Sequence, residues 1–182
     1  MSATKSRTEK RLTTRRMTMA GVYGAICVVL AVTGLGMIPV PNLAGYATIM
    51  HVPVIIAAVL EGPLVGAFAG LVMGIYSFIT PGSVPPDPIM CILPRILIGV
   101  VSGYVYIALR RVNQSFGAAM AGVIGTATNT LGYVGIGVLL GYFPNAIWIA
   151  IAPQALVELV LAAVLTVIIS RTVMRAMPNY RK

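Results

Sequence analysis

Thirteen lysines and arginines punctuate this chain, and twelve of them fall in three clusters. Six stand within residues 1–16 (Lys5, Arg7, Lys10, Arg11, Arg15, Arg16), two in a turn (Arg110, Arg111) and four near the end (Arg171, Arg175, Arg181, Lys182). The thirteenth, Arg95, stands alone inside an apolar run. Between the clusters lie apolar segments of about 20 residues, the length that crosses a hydrocarbon core about 30 Å thick. With 58% hydrophobic residues, 9% charged and a mean hydropathy of +0.94, a soluble domain could not cover so much apolar surface. The pattern specifies an all-α integral membrane protein. A net charge of +9 that is confined to flanks and turns gives no reason to expect nucleic acid.

The apolar periodicity places helices at about 17–36, 50–61, 63–80, 91–110, 115–141 and 145–174. Six crossings put all twelve clustered cations on one side. By the positive-inside rule that side is cytoplasmic and holds both termini. The opposite loops, 37–49, 81–90 and 141–145, carry no Lys or Arg. The expected organisation is a basic cytoplasmic tail (1–16), a six-helix membrane domain (17–175) and a short cytoplasmic tail (176–182), in a multi-pass protein of the cell membrane. No cleavage site follows the first apolar run, so it reads as a retained helix rather than a secretory signal. The second segment is too short to cross alone and should borrow from "AGYATIM" before it. Residues 50–80 therefore read as two spans or as a re-entrant hairpin. "LEGPLVG" (60–66) makes the turn between them, with Pro63 opening the next helix. The proline-rich loops "GMIPVPNLAGYA" and "TPGSVPPDPIM" are either plain connections or rigid lids over a site.

Polar residues inside the spans are the candidates for function. From those bounds Arg95 lies roughly 6 Å below its helix start, while Glu158 and Asn129 each lie about 20 Å from the same face. Glu158 and Asn129 thus share a level, and an Arg95–Glu158 ion pair is not expected. Arg95 either snorkels to the interface or receives an anion from outside, since a guanidinium grips a carboxylate through two parallel hydrogen bonds. Gly99 and Ser102 continue its face and leave room. Gln154 and Glu158 are four apart and share a helix face. Glu158 is expected in a hydrogen-bonded knot with Asn129 or Thr130, while Gln154 and Asn129 can serve a ligand's hydroxyl or amide. His51 reads as a satisfied interfacial residue, and Cys27 and Cys91 as apolar filler. On the first helix Ala20 and Gly24, and Gly21 and Ala25, are small residues four apart that permit close helix approach, within the protein or to a partner.

Several chemistries are excluded. No lysine occurs between Lys10 and Lys182, so no nucleotide-binding P-loop exists here. No spacing supports a catalytic set, a metal site or a cofactor. A non-enzymatic substrate-binding membrane protein that draws its energy from a partner fits these absences.

The stretch "ATIMHVPVIIAAVLEGPLVGAFAGLVMGIYSFI" (47–79), followed by "CILPRILIGVVSGYVY" (91–106), resembles the substrate-binding S components of energy-coupling factor (ECF) vitamin transporters, most closely the pantothenate branch. The resemblance implies six helices, a vitamin site near the outer face and delivery through a transmembrane coupling subunit with two ATPase subunits. It implies that Ala20, Gly21, Gly24 and Ala25 dock on the coupling subunit. The vitamin would lie under the loop after the first helix and between the last three helices, where Arg95, Asn129, Gln154, Asn42 and Tyr46 fall. Two alternatives stay open: an S component for another vitamin or small metabolite, and a self-sufficient secondary transporter with Glu158 coupling protons.

Overall fold

The computed structural model describes residues 14–39, 46–80 and 87–176. Six helices appear in order: α1 (Thr14–Val32), α2 (Val52–Glu61), α3 (Pro63–Ile79), α4 (Pro88–Leu109), α5 (Gln114–Leu139) and α6 (Ile147–Ala176). Three of the helix starts carry a local reason. Pro63 starts α3 directly after Gly62, whose φ of 103° is a backbone state that favours glycine. Asp87 caps α4 by accepting from the Ile89 and Met90 amides, with Pro88 in the first turn. Asn113 does the same for α5 through Ser115 and Phe116.

Successive helices alternate in direction. At one end of the bundle Arg15 of α1 pairs with Glu61 of α2 at 3.5 Å, and Tyr106 of α4 reaches Met174 of α6 at 3.7 Å. Both described chain ends and the α2–α3 and α4–α5 turns lie at this terminal end. At the other end residues 37–39 and 46–48 pair as a two-stranded antiparallel hairpin, β1 (Met37–Pro39) and β2 (Tyr46–Thr48), with Met37 opposite Thr48. The segment expected to extend α2 is therefore strand, and α1 ends at Val32 rather than at 36.

Four helices, α1, α4, α5 and α6, are long and apolar enough to cross a membrane, while α2 and α3 have 10 and 17 residues. The brevity of α2 is explained by its position. Residues Val52–Val59 are all buried, and α2 packs against each of the other five helices. Backbone that ends short of the bilayer surface is tolerated where protein surrounds it, and this surround also admits the β2 strand, whose Ala47 is fully buried. The outer surface is apolar by contrast, with Val22, Ile26, Val29, Leu131, Leu156, Val160 and Val164 exposed as lipid-facing residues must be.

The closest helix contact is α3 on α4. Gly66, Gly70 and Gly74 form a stripe at four-residue spacing. A Cβ on Gly70 would strike the Arg95 carbonyl, and one on Gly74 would sit 2.9 Å from the Ile92 Cα. Small residues let backbones approach and gain dispersion contacts, the main attraction between helices in lipid. Here they also fix where Arg95 leaves α4.

Candidate functional site

At the hairpin end, a cavity of about 310 Å³ opens between α4, α5 and α6, with β2 across it. Its polar lining is Arg95, Asn129, Thr130, Tyr133, Gln154, Glu158 and Thr48. Its apolar lining includes Met73, Val134, Phe143, Ile147 and Ile151. Polar groups few in number and convergent on an apolar hollow are the usual form of a small-molecule site.

Arg95 forms one wall. Its Nε and Nη1 are buried without a hydrogen-bond partner, and its Cζ lies 4.6 Å from the centre of the Tyr133 ring. That ring holds the guanidinium by cation–π attraction, and is itself packed against Phe143 with centroids 6.2 Å apart. An aromatic face stabilises the charge without using its N–H donors. The donors stay available to something in the cavity.

Glu158 forms the opposite wall and is 4% exposed. Its Oε1 accepts three hydrogen bonds: from the Thr48 amide at 2.7 Å, the Thr48 hydroxyl at 3.1 Å and Gln154 Nε2 at 3.0 Å. The knot expected with Asn129 or Thr130 is thus made with Thr48 and Gln154 instead. The i, i+4 relation of Gln154 and Glu158 is used directly, and the third partner comes from a strand. Asn129 Oδ1 and Gln154 Oε1 are buried and lack a partner, so each remains an acceptor for a ligand donor.

The depth expected for Arg95 is corrected. Because α4 starts at Pro88, Arg95 stands about 10 Å from its helix start, against about 16 Å for Glu158 and about 15 Å for Asn129. The gap of roughly 14 Å becomes about 6 Å, and one cavity takes in all three. Among the described residues no ion pair joins Arg95 to Glu158, as expected. Arg95 does not snorkel into solvent, since its Nε and Nη1 are buried. Of the other candidates, Asn42 lies outside the described residues, and Tyr46 contributes backbone to β2.

His51 is buried inside the protein and only half satisfied, since its Nδ1 lacks a partner. It is 1% exposed, with Nε2 at 2.8 Å from the Thr126 hydroxyl, and Ser102 is fully buried without a hydrogen-bond partner. Cys27 and Cys91 are buried free thiols. Among the described residues no group of three or more His, Cys, Asp or Glu side chains could hold a metal ion. The small residues of α1 divide by face. Ala20 and Gly24 point inward, where a Cβ on Gly24 would lie 2.9 Å from the Val72 Cβ, whereas Gly21 and Ala25 are exposed.

Tyr133, Phe143 and Thr48 were not among the residues expected from sequence. Tyr133 follows Asn129 by four positions and so shares its face, a signal that was there to read. Thr48 enters only through the hairpin and had no such signal.

The family of ECF transporter substrate-specific components matches residues 15–170, nearly all of the described chain. The protein belongs to that family. As an S component it is a multi-pass membrane protein that binds a transported substrate and is not an enzyme. The pantothenic acid transporter PanT of Lactococcus lactis subsp. cremoris (strain MG1363) is 31% identical to it over 160 aligned positions, which cover 72% of this chain and 80% of the relative.

Proposed function

We propose that this S component binds pantothenate at its hairpin end and delivers it to an ECF module of one transmembrane coupling subunit and two ATPase subunits. All six helices cross the membrane in this reading, with both termini cytoplasmic and the cavity opening outward. The basic flanks and turns support that orientation.

The observation that carries the substrate is the polarity of the cavity. Arg95 on α4 offers unmatched N–H donors, while Glu158 and Gln154 on α6 and Asn129 on α5 present acceptors. Pantothenate has a carboxylate at one end, hydroxyls at the other and an amide between. Its carboxylate meets Arg95 through parallel charge-assisted hydrogen bonds. Its hydroxyls donate toward Glu158 and Asn129, and its amide lies near Gln154. Met73, Val134 and Ile151 cover the carbon skeleton. The likeness to a pantothenic acid transporter supports the same choice.

Substrate release requires energy that no part of this chain supplies, which is the reason for a partner. We place its docking face on the exposed side of α1 at Gly21 and Ala25, with Ala20 and Gly24 closing the same helix onto α3. Calorimetric titration of the chain purified alone in detergent tests the substrate. Pantothenate should bind and a panel of other vitamins should not. Tight binding of a different vitamin would keep the S component and discard this substrate.

A further inference from the structure

A second cavity, of about 370 Å³, lies at the terminal end between the start of α5 and the last turns of α6. It is lined by Asn113, Gln114, Ser115, Arg171, Met174 and Arg175, with Ala118 at its floor. No acidic side chain lines it, and among the described residues no carboxylate pairs with Arg171 or Arg175. The Asn113 side-chain oxygen already accepts from the Ser115 and Phe116 amides, so the attraction for an anion comes from the two guanidiniums rather than from the helix end.

The two arginines do not stand in isolation on α6. Val164, Ile168, Arg171 and Arg175 follow one another at spacings of four, three and four, which is a single stripe along one helix face. All four are exposed. The stripe is apolar at bilayer depth and becomes cationic where the helix nears its end, beside a polar hollow. An amphiphile with a phosphate head has the same order of parts. Its acyl chain lies along Val164 and Ile168, its phosphate meets the two guanidinium forks, and a head-group hydroxyl reaches Gln114 or Ser115.

The geometry points to a binding site for the phosphate of an anionic glycerophospholipid between α5 and α6, held by Arg171 and Arg175. This site is at the opposite end of the bundle from the Arg95 cavity and does not depend on which substrate that cavity takes. Its chemistry is that of a phosphate ester, which a free phosphate ion shares in part. The apolar half of the stripe favours the lipid.

Native mass spectrometry of the full chain in detergent, with phosphatidylglycerol and phosphatidylcholine supplied together, tests the site. Wild type should retain phosphatidylglycerol in preference, by about fivefold for each arginine engaged. R171Q/R175Q should abolish that preference, R171K/R175K should keep part of it, and R111Q, outside the cavity, should keep all of it. If R171Q/R175Q does not yield folded protein, R171Q and R175Q singly should each lower the preference. Inorganic phosphate at millimolar concentration should not displace the lipid. Preference that survives R171Q/R175Q, or an equal loss in R111Q, would overturn the proposal. Displacement by inorganic phosphate would show a site for a free anion instead.

Discussion

The two arginine-lined cavities of this protein are opposites. At the hairpin end, Arg95 is held within the bundle under an aromatic ring, and a carboxylate faces it across the space without touching it. At the terminal end Arg171 and Arg175 are exposed, and among the described residues no carboxylate lines their cavity or pairs with them. A buried cation whose counter-charge is held off is costly and must be maintained by its surroundings. An exposed pair at a helix end costs little, because water and head groups reach it and the negative end of the helix favours it. The first arrangement suits one ligand of defined shape, and the second a class of head groups.

The comparison can be broken most sharply at Arg95. Replacing it by alanine should weaken pantothenate binding by about 100-fold or more, as truncating one partner of a buried charged contact generally does. Arg95→Lys should recover only part, because an ammonium cannot reproduce the fork. R171Q/R175Q should leave that affinity within about twofold, since surface changes away from a site are small. Comparable losses from the two ends would erase the distinction.

Gly70→Ala comes next. Its Cβ would strike the Arg95 carbonyl, so α4 must move away from α3 and carry the guanidinium with it. The expected outcome is a loss of about 1–3 kcal/mol in thermal stability and a fall in affinity larger than for Gly21→Ala, which has open space. Glu158→Gln keeps the shape but removes a charged acceptor from three donors, and should cost about tenfold in affinity. Hydrogen exchange at residues 46–48 should quicken with it, because Thr48 loses its anchor on α6. Tyr133→Ala should cost about fivefold and Tyr133→Phe much less, as the ring rather than the hydroxyl faces Arg95.

The inward and outward faces of α1 give a smaller contrast. Leucine at Gly24 would collide with Val72 and should lower the yield of folded protein. Leucine at Gly21 or Ala25 should leave pantothenate binding intact and reduce co-purification with the coupling subunit.

Much of this fold can be read from apolar runs and cation placement, because lipid forces both. Each of the six segments became a helix, with bounds shifted by at most four residues. One shift mattered. Asp87 followed by Pro88 is a helix-start signal, and passing over it left Arg95 too shallow and apart from Glu158. Arg95, Asn129 and Gln154, expected to bind substrate, all line the hairpin-end cavity, and they stood out in the sequence because uncompensated polarity in a span is conspicuous. The Thr48 contact was not legible. A three-residue strand has no period to detect, and its partner Glu158 lies 110 positions away. The Gly66–Gly70–Gly74 stripe was present in the sequence but hidden among nineteen glycines.

The central claim is that Arg95 exists to meet a carboxylate. The most direct measurement is a calorimetric cycle on the purified chain, comparing pantothenate with the alcohol that replaces its carboxylate, each in wild type and in Arg95→Ala. Wild type should bind the acid far more tightly than the alcohol, and Arg95→Ala should bind both equally weakly, giving a large coupling between the two changes. Equal affinity of wild type for acid and alcohol, or an acid preference that persists without Arg95, would contradict it.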